Sequence, residues 1–172
     1  MWERTLTINS TGKAFSLTGW KVGYAVGPPE LNRAVRATHQ FVTFATSTPF
    51  QEAMATALET AARTGYYETL RREYTARRDL LAGALASAGL ATFPVQGSYF
   101  LLADVADMGF PDDVSFCRYL TSEIGVAAIP PSAFYADPAV APLLARFCFA
   151  KREETLRAAA ERLQRLRAAR GI

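Results

Sequence analysis

Three lysines stand against sixteen arginines in this 172-residue chain, and two of the three, Lys13 and Lys21, lie within nine residues of each other. An amine can give up its proton and condense with a carbonyl to a Schiff base, which a guanidinium does not do. A lysine retained in a chain that otherwise prefers arginine is therefore a candidate for carbonyl chemistry, with a solvated loop lysine as the plain alternative. Phe15 and Trp20 fall between Lys13 and Lys21, and an apolar wall of this kind favours the neutral amine. Arg146 is the second candidate. It opens an otherwise apolar run, Arg146-Phe147-Cys148-Phe149, where a guanidinium is costly to bury without a partner. Its fork grips a carboxylate through two parallel hydrogen bonds, so the position suits an anionic ligand. An ion pair with one of the chain's own acids is the alternative.

Other residues carry weaker signals. Tyr99 and Phe100 follow Gly97 and suit either the wall of a substrate pocket or the start of a core strand. Phe134 and Tyr135 read as packing residues. His39, the single histidine, ends a predicted helix without a serine or cysteine constellation around it, which predicts a structural role. Cys117 and Cys148 are far apart with no histidine nearby, so they read as buried free thiols and not as a disulfide or a zinc site.

An alternation of strands and helices must position these residues. Residues 4–8 alternate polar and β-branched side chains and read as a strand. A loop over 9–19 follows, then a strand over 21–26 that stops at Gly27-Pro28-Pro29, so that strand, loop and strand frame the two lysines. Pro29 opens a helix to about His39, and Thr48-Pro49 opens another to about Arg63. Tyr67, Leu70, Tyr74, Leu81 and Leu85 fall at helical spacing over 65–87, with Arg71, Arg72, Arg77 and Arg78 for the other face. After Gly89 the elements shorten. Strands are expected over 91–93, 99–104, 126–129 and 146–150, and a helix opens at Pro111-Asp112-Asp113 and closes at Gly125. A last helix over 152–167 places Leu156, Ala159, Leu163 and Leu166 on one stripe. The pattern predicts an α/β fold in three parts: the tail of an α/β unit over 1–64, a connecting long helix over 65–88, and a compact α/β lobe over 89–172.

Half of the residues are hydrophobic and 12% aromatic, enough apolar surface to offset chain entropy, which excludes a disordered chain. No run approaches the roughly 20 apolar residues of a membrane span, and Trp2-Glu3-Arg4 does not read as a signal peptide. The expectation is a soluble, cytoplasmic protein. The net charge of +3 resides in residues 151–170, where Lys151, Arg152, Arg157, Arg162, Arg165, Arg167 and Arg170 oppose Glu153, Glu154 and Glu161. The first two acids come early and most of the arginines late, as a helix macrodipole favours. A solvated helix face accounts for this excess, and no nucleic-acid partner is expected.

The run Asn9-Ser10-Thr11-Gly12-Lys13-Ala14-Phe15-Ser16-Leu17-Thr18-Gly19-Trp20-Lys21-Val22-Gly23-Tyr24 resembles the cofactor-lysine segment of the fold-type I, pyridoxal phosphate (PLP)-dependent aminotransferases of class I/II. A serine stands three residues before a lysine, and a second basic residue follows eight after it within Thr-Gly-Trp-Lys-x-Gly-Tyr. The form Gly-Lys-x-Phe-Ser is most similar to the kynurenine, glutamine and methionine aminotransferase subgroup. Later features keep the same order: Phe41-Val42-Thr43-Phe44-Ala45 before Thr48-Pro49-Phe50-Gln51, then Gly97-Ser98-Tyr99-Phe100, Ala127 to Tyr135, and Arg146 to Phe149. Essentially the whole chain is covered.

The resemblance implies the C-terminal part of an aspartate aminotransferase-like fold, the tail of the large domain plus the small C-terminal α/β domain. It implies PLP as cofactor, Lys13 as the Schiff-base lysine and proton carrier, and Ser10 and Lys21 as holders of the cofactor phosphate. Many relatives have Arg where this chain has Lys21, which keeps the charge and loses the fork. It also implies Arg146 at the substrate carboxylate, with Tyr99 in the substrate pocket. The activity would be transfer of an amino group from an L-amino acid (methionine, glutamine, aromatic or kynurenine-like) to a 2-oxo acid. Homodimers are expected, with Thr43, Thr46 and Ser47 in a loop that in the family reaches the neighbouring subunit's active site. The family's ring-nitrogen Asp, ring-oxygen Tyr and Asn, and stacked aromatic lie upstream of its lysine, and this chain begins twelve residues before Lys13. A C-terminal portion, inactive alone, is therefore expected, because the cofactor is a poorer electron sink without that carboxylate. A PLP-dependent carbon-sulfur lyase would share Lys13 and Arg146, and a non-catalytic PLP-sensing or dimerising domain is the reading from another class.

Overall fold

The computed structural model describes residues 1–169. The chain divides between Tyr67 and Glu68 into two compact units, each with its own antiparallel strand pair.

In the first unit, β1 (Thr7–Ser10) pairs with β2 (Gly23–Val26), Thr7 opposite Val26 and Ser10 opposite Gly23. The first strand starts later than its sequence pattern predicts, because Trp2–Arg4 close a 3-10 turn onto Thr5. It also runs further, to Ser10, where the expected loop begins instead as one helical turn, α1 (Thr11–Ala14). Ser10 is a favoured residue at such a start, since its side chain accepts an amide proton that the first helical turn leaves unpaired. The second strand begins at Gly23 and not at Lys21. Lys21 adopts a left-handed backbone (φ 57°, ψ 32°) after the 3-10 turn Thr18–Trp20. Gly23 lets the strands approach: a Cβ there would lie 2.8 Å from the Asn9 carbonyl oxygen. Helices α2 (Pro29–Val42) and α3 (Thr48–Thr64) both carry proline in their first turn, where its missing N–H costs nothing. α2 extends past His39 to Val42 and buries no residue, and the His39 side chain is exposed. Val22, Met54 and Ala61 are the buried hydrophobic side chains of this unit among the described residues.

α4 (Tyr66–Ser87) begins at the end of the first unit and continues into the second. Its Leu81 and Leu85 sit in the core of the second unit with Leu101, Phe116, Leu120, Phe147 and Leu163. There β3 (Phe100–Asp104) pairs with β4 (Leu144–Cys148), Leu102 opposite Arg146. The two-residue period of a strand separates the faces: Leu101, Ala103, Ala145 and Phe147 are buried, while Phe100, Leu102 and Arg146 are half-buried on the other side. The strands expected over 91–93 and 126–129 reduce to single bridges, Thr92 with Ala103 and Ile129 with Arg146. Pro94 and Pro130 follow them closely in the chain and supply no N–H to extend a ladder.

The helix predicted from Asp112 appears as α5 (Asp113–Tyr119), continued by a π-helical turn over Leu120–Ile124 and closed by Gly125 at φ 79°. In α6 (Glu153–Ala169), Leu156, Leu163 and Leu166 are buried. Its arginines do more than face solvent. Arg157 pairs with Glu153, while Arg162 and Arg165 donate to the Gly125 and Ile124 carbonyls, satisfying acceptors that a helix end leaves open. Arg170 and the side chain of Arg167 lie outside the described residues. Both cysteines are free, Cys117 buried as expected and Cys148 only half-buried. Among the described residues no helix is long and apolar enough to cross a membrane.

Candidate active site

The lysine turn is built on an anchor that the sequence does not advertise. Thr11 is 3% exposed, and both its amide (3.2 Å) and its Oγ1 (2.7 Å) donate to the Val22 carbonyl. This extends the β1–β2 register by one step and brings Lys21 beside the start of α1. Gly12 is buried next; a Cβ there would lie 3.1 Å from Thr18 Cα, and its carbonyl accepts from the Leu17 amide at 2.8 Å. With its base clamped in this way, α1 carries Lys13 exposed to solvent.

Ser10 Oγ accepts from the Gly12 amide at 3.2 Å, which leaves the hydroxyl proton for another acceptor. Lys21 is exposed as well. Its left-handed backbone costs a non-glycine residue about 1 kcal/mol. Ser10, Lys13 and Lys21 thus gather at one end of the β1–β2 pair. The rings expected as an apolar wall are each engaged with a partner. Phe15 stacks on Tyr66 (centroids 5.1 Å, planes within 2°), and Tyr66 also donates its hydroxyl to the Ala14 carbonyl at 2.6 Å. Trp20 stacks on Phe50 at 4.7 Å. Both rings brace the turn from its flanks. An amine, a hydroxyl with a free proton and a second ammonium form a donor set suited to an aldehyde that carries a phosphate, and PLP has both groups.

The second unit holds Arg146. Its backbone is paired on both sides, with Leu102 across β3 and with Ile129, whose amide donates to the Arg146 carbonyl at 3.0 Å and whose carbonyl accepts from the Arg146 amide at 2.9 Å. No carboxylate pairs with its guanidinium among the described residues. Two aromatic rings hold it instead, Phe100 and Phe134, each 4.9 Å from Cζ to centroid. Phe100 lies diagonally across the ladder on the same face.

Tyr99 borders this arrangement from the core side. It packs against the core cluster, its carbonyl accepts from the Phe149 amide at 3.0 Å, and its ring meets Phe100 edge to face at 5.6 Å. Of the pair left open by the sequence, Tyr99 joins the core and Phe100 joins Arg146. Phe134 is not a core residue either: it is 64% exposed and ends the 3-10 turn Pro131–Phe134. Pro130-Pro131 announces a turn here, but no periodicity foretells which side chain the turn delivers.

The chain matches the family described as aminotransferase class I and II over residues 2–163. It belongs to that family. It is 47% identical over 164 residues to the methionine aminotransferase of Escherichia coli K12, covering 95% of this chain and 42% of that protein. With the kynurenine–oxoglutarate transaminase of Dictyostelium discoideum it shares 40% identity over 185 residues, 97% of this chain and 42% of the relative. The E. coli methionine aminotransferase structure superposes with a TM-score of 0.88 over 95% of this chain and 42% of that one, at 46% identity. An aspartate aminotransferase from Thermus thermophilus, solved with maleate, superposes at 0.82 and 36% identity over 96% and 42%. The fold is therefore that of the aspartate aminotransferase-like, fold-type I enzymes. The chain spans about two-fifths of the length of the relatives it matches.

Proposed function

We propose that this chain supplies the cofactor lysine, the phosphate grip and the carboxylate-binding arginine of a PLP-dependent aminotransferase. Its substrates are an L-amino acid of the methionine, glutamine, aromatic or kynurenine class and a 2-oxo acid, and the active assembly is a cytoplasmic homodimer. Residues 1–64 correspond to the tail of the large PLP-binding domain, 65–88 to the long connecting helix and 89–172 to the small domain. The named relatives support the substrate classes, and two of them act on methionine and on kynurenine with oxoglutarate by name.

PLP, when bound, supplies an aldehyde for amines and an electron sink for the substrate α-carbon. Ser10 donates its hydroxyl proton to the phosphate and Lys21 sets a positive charge against it. Lys13 would hold the cofactor through its amine and, once the substrate amine has displaced it, would be free to take a proton from the substrate α-carbon and give it up again. Arg146 orients the α-carboxylate with its fork, and Tyr99 supports the pocket from the core side through its ring contact with Phe100.

The observation that carries this reading is the Ser10-capped, Thr11-anchored turn that exposes Lys13 beside Lys21. The test is reduction of the chain with borohydride in the presence of PLP, followed by peptide mass analysis. The adduct is expected on Lys13 and absent from Lys13→Ala. With only Lys13, Lys21 and Lys151 in the sequence, an adduct that persists at the same level in Lys13→Ala assigns the chemistry elsewhere.

A further inference from the structure

Asp113 is the buried carboxylate of the described residues, 3% exposed in the first turn of α5. Its Oδ2 accepts from the Ser132 amide at 2.8 Å, across nineteen residues of sequence. A carboxylate withdrawn from water and aimed at a backbone N–H makes a short, directional, charge-assisted hydrogen bond. Ser132 is itself buried, and it is the second residue of the Pro131–Phe134 turn, which closes through the Tyr135 amide onto the Ser132 carbonyl at 3.1 Å.

The segment from Ile129 to Phe134 is therefore tied at two points: Ile129 to the backbone of Arg146, and Ser132 to Asp113. Phe134 is largely exposed, so burial does not hold its ring; the anchored turn does. The ring then stands 4.9 Å from the Arg146 guanidinium, matching Phe100 at the same distance. Two rings restrain a long side chain that otherwise samples many rotamers, and no acid of the described residues occupies its N–H donors.

We propose that Asp113 is a positioning residue for Arg146: by holding Ser132 it fixes the turn that sets Phe134 against the guanidinium, and so presents the arginine fork to a carboxylate ligand. The last step rests on the reading of Arg146 as the carboxylate's partner, whereas the link from Asp113 to the guanidinium does not.

The test uses the 172-residue chain labelled for NMR, with Asp113→Leu, Asp113→Asn and Phe134→Leu variants. The readouts are the Arg146 Nε–Hε resonance, which senses the ring currents of its neighbours, and a titration with 2-oxobutanoate as the carboxylate probe. Phe134→Leu and Asp113→Leu are expected to shift the Arg146 resonance in the same direction and to weaken probe binding at least fivefold. Asp113→Asn retains an acceptor for the Ser132 amide and is expected to restore the resonance and bring binding to within twofold of the parent. A merely structural role would not discriminate between Leu and Asn in this way at Arg146. Where Asp113→Leu does not fold, Asp113→Ser replaces it, being polar but too short to reach the Ser132 amide. An Arg146 resonance that stays in place in a folded Asp113→Leu or Asp113→Ser chain overturns the proposal. Equal probe binding by the parent and by Arg146→Gln would instead overturn the carboxylate reading, and the resonance alone would then decide whether Asp113 positions the guanidinium.

Discussion

Arg146 shows how much of a residue's chemistry lies in the shape of its charge. Lysine in its place keeps the charge but has neither the fork for a carboxylate nor the flat face that meets Phe100 and Phe134. In an active enzyme containing this chain, Arg146→Lys is expected to lower kcat/KM at least tenfold, about 1.4 kcal/mol or more. An unchanged value would show that the guanidinium geometry is not used. Cys117 gives a second expectation at this scale. Burial, and after it the charge of Asp113, pushes its thiol from 9.0 up to about 11. Below pH 9 the thiol is protonated whether the chain is folded or not. Between pH 9 and 11 the unfolded chain ionises it while the folded chain cannot, so stability falls as pH rises through that window, by on the order of 2 kcal/mol. Urea titrations at pH 8.5 and 10.5 measure this, and Cys117→Ala should flatten the difference.

The β1–β2 pair is the element on which the lysine turn depends, and its tolerance is small. At Gly23 a Cβ would press on the Asn9 carbonyl oxygen at 2.8 Å, so Gly23→Ala forces the strands apart next to Ser10. The expected cost is about 1–3 kcal/mol of stability, as for other overpacked sites. The rate of borohydride-trapped PLP addition at Lys13 should fall with it, because Thr11 and Val22 lose their register. Thermal unfolding and the trapping assay check the two effects separately. A variant that lost neither would mean that the turn stands without its strands.

Across the whole molecule the burial is uneven. The second unit encloses a continuous apolar cluster drawn from α4, β3, α5, β4 and α6. The first buries few hydrophobic side chains and leaves Ile8, Phe41, Val42 and Phe44 more than 70% exposed. Exposed apolar surface of this kind favours association and leaves the lysine turn on the less secured unit. With PLP, methionine and a 2-oxo acid, this chain taken alone is expected to transfer no amino group beyond the rate of free PLP. Turnover clearly above that background would show that the groups described here suffice.

Local chemistry made several features legible in the residues themselves. The helix starts at Pro29, Thr48 and Asp112, the stop at Gly125, and the leucine stripe of α6 follow from capping, backbone preference and the 3.6-residue period, and all of these depend on near neighbours in the chain. The spacing of Ser10, Lys13 and Lys21 also lies within one short run, so their grouping could be read before any coordinates. What lay beyond such reading depends on contacts between distant residues. Thr11 against Val22, Phe15 against Tyr66, Asp113 against Ser132, and Phe134 with Phe100 at Arg146 join positions from eleven to fifty-one residues apart. Tyr99 and Phe100 make the difference plain. Both suited a pocket or a core by type, and contacts with distant residues set the first against the core cluster and the second at the Arg146 guanidinium.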